Sequence, residues 1–468
     1  MINVGKAVLR FLGVDRAVFF ANAGQVTRLI TTPISMALVL RYLTPEIQGY
    51  FYAFSGVVAM QVFLEMGFSQ NILQFASHEF AKLRFAPDST LEGDPEALSR
   101  LTSLARLAFC YYAVAALAVL LLIGVGGHIF FSISSPHGVS WQGAWWIIAS
   151  VAAASLAINP AWALLEGCNQ VAIIARFRFW ASMVAFGTNA GFLIAGTGIY
   201  ASALMALCNL LFALGYLCIF WLPFFRQFLQ KPKLGNISWR NEIWPFQWRI
   251  AVSWMAGYFI FDIVNPIAFY FCGPVDAGRF GMSFQIIRII SGIAMTWITT
   301  KAPRIGMLVA RQQWAELDAL WWRSTIQAFA IFLVGLAAFF ALLPFSAYFL
   351  PQLPTRLGPP AVALWLGAGM AAAIWVTAMA VQLRAHKREP YMWISVANAL
   401  LSVAFILPLV KHWGIIGEAA GYTLGIWAIL IPAIRIYKTK KREYRSAAKA
   451  NSPEGSSPQY LSESVAST

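Results

Sequence analysis

The sequence predicts an all-α, polytopic membrane protein with twelve transmembrane helices in two six-helix halves. Three observations carry this reading. Apolar residues make up 59 % of the 468-residue chain and charged residues 11 %, with a mean hydropathy of +0.66; an ordinary soluble domain has about 25 % charged residues. Segments of about 20 mostly apolar residues, enough to cross about 30 Å of hydrocarbon, recur along the whole chain. Turn motifs repeat at corresponding places in the two halves. A soluble enzyme, a disordered chain and a fibrous one are excluded by composition.

The expected spans are 18–41, 48–75, 104–126, 143–166, 172–195, 199–223, 248–271, 279–300, 325–350, 361–383, 391–410 and 415–435. Loop charge tests them. The net charge is +15 from 34 Lys and Arg against 19 Asp and Glu. Twenty-eight of those 34 basic residues fall in or beside the termini and alternate loops of one face. The other face holds Arg41, Arg279, Arg356 and Lys411, and Arg28 and Arg288 lie within spans. This bias places both termini in the cytoplasm of an inner-membrane protein. The excess positive charge is therefore chiefly topological, and nucleic acid is not an expected partner. The external loops are short; on this count Glu46, Asp276 and Glu418 offset their few basic residues.

Residues 1–228 make the first bundle, 229–247 a cytoplasmic linker and 248–437 the second bundle; 438–468 form a basic, then disordered cytoplasmic tail that contacts anionic lipid. The basic N-terminus has no small-residue cleavage site, so no removable signal peptide is expected. Cys110, Cys168, Cys208, Cys218 and Cys272 form no CxxC pair, so neither zinc nor a disulfide framework is indicated. No P-loop, HExxH or GxSxG motif appears, so no cofactor, metal or enzymatic activity is expected.

The repeats are specific in position. Pro45-Glu-Ile-Gln-Gly49-Tyr-Phe51 follows the first span, and Pro274-Val-Asp-Ala-Gly278-Arg-Phe280 follows the seventh. Both read P-x-x-x-G-x-F. Gly196-Thr-Gly198 joins spans five and six, and Gly414-Ile-Ile-Gly417 joins spans eleven and twelve. Parallel repeats of this kind rock about a central site in known transporters.

The stretch LRYLTPEIQGYFYAFSGVVAMQVFLEMGFSQNILQFASHE resembles the start of the polysaccharide-transporter branch of the MOP flippase superfamily. Thr44-Pro45-Glu46 and Gly49 match that branch's turn, and Glu65-Met-Gly67-Phe68 stands where its acidic helix end lies. Phe280 to Arg288, Lys301-Ala-Pro303-Arg304 and WGIIGEAAGYTLG are similar to its second-half motifs. Met66 and Phe68 depart from common family residues. The resemblance implies a MATE/MOP-like fold and a secondary transporter. Its cargo would be a polyprenyl-pyrophosphate-linked oligosaccharide, such as an O-antigen or exopolysaccharide repeat unit, moved across the inner membrane as in Wzx-type flippases. Partners implied are the lipid-linked substrate, membrane lipids, a polysaccharide polymerase and an H⁺ or Na⁺ counter-ion.

Ionisable residues inside spans are the candidate site, because each costs roughly 2.5–3.5 kcal/mol to insert at mid-bilayer. Gln25, Arg28, Thr32 and Ser35 make one polar stripe at helical spacing; Gln285, Arg288, Gly292, Thr296 and Thr299 make another. Arginine is planar, always charged and bidentate toward phosphate oxygens, so Arg28 and Arg288 with Gln25 and Gln285 suit a pyrophosphate. An interhelical Arg–carboxylate clamp, or snorkelling to the membrane edge, is the structural alternative. Glu65, Asp262 and Asn265 are candidates for ion coupling or for simple pairing with those arginines, with Pro266 favouring a kink. Asn159-Pro160 marks a second kink. Lys301 and Arg304 are candidates for a cytoplasmic gate, with positive-inside anchoring explaining them equally well. Two other classes remain open: a multidrug cation exporter, for which an acidic cavity is expected, and a membrane glycosyltransferase or O-antigen ligase, which needs a larger external loop.

Overall fold

A computed structural model describes residues 27, 31–134, 138–232, 234–349, 351–386 and 390–450. Gln25 and Arg28 lie outside them, so the first polar stripe is met only at Thr32 and Ser35. The described residues are overwhelmingly helical, and nine helical stretches among them are long and apolar enough to cross a membrane. Two of the nine are divided by glycines with non-helical backbone, Gly273 (φ 81°, ψ 172°) and Gly414 (φ 56°, ψ −140°). With the helix at 31–42, this pattern is consistent with twelve crossings. The chain is a multi-pass membrane protein.

Helix α1 (31–42) leads into α2 (Pro45–Glu65), whose start is fixed by Thr44: its hydroxyl accepts the Ile47 N–H, and Pro45 occupies the first turn, where its missing donor costs nothing. The expected span 48–75 does not run through. Met66 (φ 50°) and Gly67 (φ 65°) are both left-handed, and the chain restarts as α3 (Phe68–Phe80). A short antiparallel hairpin, β1 (Leu83–Phe85) and β2 (Leu91–Gly93), follows, a local exception to the all-α expectation. The Thr90 hydroxyl and N–H both donate to Asp88 and close its turn.

Helix α4 (Pro95–Ser134) outruns the expected 104–126 and carries a π-helical turn at Val119–Gly124. That turn frees the Gly124 carbonyl to accept the Trp145 indole N–H (2.8 Å). Helix α5 (Gln142–Gly167) stays helical through Pro160. Then come α6 (Val171–Ile194), α7 (Tyr200–Phe220) and the short α8 (Leu222–Arg226). The second half comprises α9 (Trp244–Phe261), α10 (Val264–Thr299), α11 (Ala302–Ala310), α12 (Trp314–Phe349), α13 (Leu353–Arg356), α14 (Pro360–Arg384) and α15 (Met392–Ala450).

The two arms of α15 pack back on each other through a glycine ladder. A Cβ at Gly417 would lie 1.9 Å from the Leu409 carbonyl oxygen, one at Gly421 2.6 Å from Ile406 Cα, and one at Gly425 2.7 Å from Ser402 Oγ. Small residues every fourth position permit such backbone approach inside a membrane, where apolar side chains gain nothing by leaving lipid.

The segment joining the halves is pinned to α4. Ser99 Oγ accepts the Leu234 N–H and donates to the Gly235 carbonyl, and Arg106 donates to the carbonyls of Leu229 and Gln230. Arg100 bridges Glu79 (2.9 Å) and Glu242 (2.8 Å). Glu79 is 8 % exposed. Arg100→Ala therefore strands a buried carboxylate, and a loss of about 1–3 kcal/mol is expected, read as a lower melting temperature of the detergent-solubilised protein. The Ser238 backbone N–H, and then the Arg100 guanidinium, hold the Glu242 carboxyl below its usual range. A depressed carboxylate contributes stability above its unfolded pKa of about 4.3 and loses it as pH falls through the folded value. Melting temperature should thus decline below about pH 4, and less steeply in Glu242→Gln.

Candidate functional site

The two P-x-x-x-G-x-F repeats meet. A Cβ on Gly49 would stand 1.9 Å from the Pro274 carbonyl oxygen and 2.8 Å from Pro274 Cα. Reciprocally, a Cβ on Gly278 would stand 3.0 Å from Gly49 N and 3.1 Å from the Pro45 carbonyl oxygen. The repeat glycines are thus the points where α2 and α10 touch backbone to backbone, as an approximate two-fold relation between halves requires. A buried polar lock surrounds them. Gln48 donates to the carbonyls of Gly278 (2.7 Å) and Arg356, while Arg356 donates to the Gln48 side chain and the Leu43 carbonyl. This end of the bundle, the turn end, is closed. Arg356, one of the few basic residues of the external loop face in the sequence, is thus a buried structural group. Its isolation in a loop face nearly devoid of basic residues was the available signal.

Further along the same pair, α9 gives way to α10 at Asp262–Ile263. Pro266 has no N–H, so the Asp262 carbonyl has no helical partner, and Gly56 packs there: a Cβ on Gly56 would lie 2.8 Å from that oxygen and 2.5 Å from the Pro266 ring. The expected kink exists, placed three to four residues ahead of the proline. The Asn265 side-chain oxygen is buried and has no hydrogen-bond donor among the described residues.

The second polar stripe has the geometry its spacing implies. Gln285, Arg288, Gly292, Thr296 and Thr299 are all exposed, whereas Phe284, Ile287, Ser291, Ala294 and Ile298 turn into the packed core. The Arg288 side chain is 47 % exposed, 3.9 Å from the Asp262 carboxylate, and its guanidinium carbon is 5.6 Å from the ring centres of both Phe261 and Phe284. At 3.9 Å the pair is loose, and its donors are not used up. Thr32 and Ser35, all that is described of the other stripe, are half-buried.

Glu65 is held differently. One carboxylate oxygen accepts from Asn159 (2.9 Å), Ser69 (3.0 Å) and Tyr112 (3.4 Å). Ser69 reaches it across the left-handed break rather than along a continuous helix. No arginine bonds Glu65 among the described residues. Lys301 is half-buried at the end of α10, Arg304 is exposed on α11, and neither forms an ion pair among the described residues. The structure therefore brings Asp262 and Arg288 together, and leaves Glu65, Lys301 and Arg304 apart from them. An apolar groove of about 720 Å³ runs along the seam of the halves, lined by Met60 and Phe63 of α2, Leu122 and Phe130 of α4, and Tyr258 and Tyr270. Glu418, at the start of the expected span 415–435 and counted with the charges of the external face, is fully buried; the small residues around it, Gly417, Ala419 and Ala420, were the signal that its helix is packed tightly there.

The described residues thus combine membrane-length helices, a seam where the two sequence repeats meet, and an exposed polar helix face. No family model and no curated protein matches the chain. Solved structures do. A multidrug-resistance MATE family transporter of the MOP superfamily in its inward-facing conformation is similar at 15 % identity and TM-score 0.58, covering 91 % of this chain and 96 % of that one. A MATE protein in complex with MaL6 follows at 14 % identity and TM-score 0.54, covering 93 % and 96 %. A MOP superfamily transporter from Pyrococcus furiosus, described by a binding pocket of reverse polarity that suggests a different function, matches at 14 % identity and TM-score 0.54, covering 93 % and 95 %. The chain shares the fold of the MATE transporters of the MOP superfamily.

Proposed function

We propose that the chain is a secondary transporter, not an enzyme, that moves a polyprenyl-pyrophosphate-linked oligosaccharide across the inner membrane by alternating access, with both termini in the cytoplasm. The observation that carries this is Arg288: half-exposed on a polar helix face and loosely tied to Asp262, with a guanidinium whose planar fork can give two donors to a phosphate. Arg28, outside the described residues, is the second guanidinium of this proposal. Closure of the turn end around Gly49 and Gly278 fits an inward-open state that loads from the cytoplasm, with Lys301 and Arg304 attracting the anion at its mouth. The apolar groove at the seam suits a hydrocarbon tail while the glycan uses the polar interior. The description of the Pyrococcus furiosus protein supports the idea that this fold can carry binding pockets of different polarity. In this reading, residues 1–228 and 248–437 move as the two bodies.

A second reading, a cation or drug exporter, is favoured by the names of the fold neighbours and by the carboxylates of Asp262 and Glu65. The two are separated by binding to the purified protein. A water-soluble short-chain prenyl pyrophosphate should bind, weaken as salt rises, and be displaced by inorganic pyrophosphate. Binding of a lipophilic phosphonium cation with no measurable pyrophosphate binding would overturn the flippase reading and favour the exporter.

A further inference from the structure

Glu418 lies one turn beyond Gly414, in the second arm of α15, and is 0 % exposed. Among the described residues no side chain donates a hydrogen bond to either carboxylate oxygen, the backbone of Ala268 being the polar group beside it. Its titratable and charged surroundings are sparse. On α10 they are Cys272 and, further on, Asp276. On α15 they are Tyr422, one turn ahead, and Lys411 and His412 before the break; the Lys411 ammonium sits 5.6 Å over the Phe271 ring. Helix α14 brings no acidic or basic side chain before Arg384. No cation is paired with Glu418 among the described residues.

An ionised carboxylate cannot be held in such a place without a partner, because burial removes its hydration and returns nothing. The place itself matters. A Cβ on Gly414 would lie 3.8 Å from Cys272 Sγ, so the Gly414 turn abuts the Cys272–Pro274 turn. Pro274 is the backbone on which Gly49 seats. Glu418 therefore lies directly behind the surface that closes the turn end.

We propose that Glu418 is a proton-binding site that couples proton uptake to closure of the turn end. The closed arrangement holds the protonated carboxyl, and opening admits water that permits its release. A state that binds the proton more tightly is favoured by acid, so low pH favours closure and high pH favours opening. The inference rests on alternating access but not on the identity of the cargo.

The test uses spin labels at exposed Ser140 and Tyr348, which lie on opposite halves at the turn end, in full-length protein lacking the exposed Cys110 and Cys218. Distances are measured across a pH series without substrate. The open-to-closed ratio should rise with pH, by up to about tenfold per unit for one proton. Glu418→Gln should remain closed and lose that dependence, and should remove a protonated-carboxyl band from the infrared spectrum. Glu418→Asp, which keeps a titratable group should the amide variant fold poorly, should displace the transition rather than abolish it. A Glu418→Gln protein with wild-type pH dependence, or with the carboxyl band intact, would overturn the proposal. Because no cargo is present, loss of pyrophosphate binding with the pH response intact would sink the substrate reading alone.

Discussion

Arg288→Ala is expected to abolish complementation of a flippase-null strain and weaken binding of a prenyl pyrophosphate while leaving the amount of folded protein in the membrane unchanged. The side chain is 47 % exposed and its partner Asp262 is 41 % exposed, so removing the guanidinium leaves a carboxylate that water can still reach. Hydrogen bonds to a charged group contribute about 1.5–3 kcal/mol, which corresponds to roughly 10- to 150-fold in Kd. Arg288→Lys should recover part of this, since a point charge remains but the bidentate fork is lost. Asp262→Asn supplies the contrast. If Arg288 serves only to neutralise Asp262, the double variant should restore what each single change removes. An anion-binding role predicts that it does not. Full glycan display by Arg288→Ala would remove the basis of the proposed site.

The second large effect is expected at Gly49→Ala. The added methyl would begin 1.9 Å from the Pro274 carbonyl oxygen, with only backbone in its way. Backbone cannot yield as a side-chain tip can, so α2 and α10 must separate at this end. Overpacking of a tight contact costs about 1–3 kcal/mol, and about 1.4 kcal/mol already shifts a two-state equilibrium tenfold. Electron-spin distances across the turn end should lengthen, and transport should fall because the closed state is under-populated. Gly278→Ala should act in the same direction but more weakly, its nearest contacts being 3.0 and 3.1 Å. Opposite signs for the two glycines would contradict their reciprocal seating.

Much of this was legible in the sequence. Helical spans follow from composition, and the stripe from Gln285 to Thr299 is a sequence pattern that the structure reproduces as an exposed face. The repeats told where the halves correspond, although not that the two motifs touch. What the sequence hides is backbone conformation and side-chain partnership across distance. The resemblance put a helix end at Glu65-Met66-Gly67, but hydropathy runs on across it, so the expected span 48–75 passed over the two consecutive left-handed residues. Proline signalled the interruption near Asp262, whereas the helix runs on through Pro160, because a membrane helix can absorb a proline where neighbours or local adjustment satisfy the freed carbonyl. Arg356 and Glu418 were counted as loop charges because a net-charge argument is blind to burial.

The closed seam is made by glycine against peptide. Gly49 faces the main chain of Pro274, and Gly278 faces the main chain of Pro45 and Gly49. Such a joint has no side-chain pair whose members could change together over evolutionary time. Contact maps inferred from correlated substitutions would therefore show the flanks of this molecule well and leave its central joint blank. Directed evolution would meet the same silence: the way to retune the joint is through the side chains around it, Gln48 and Arg356, whose hydrogen bonds tie the two halves together there.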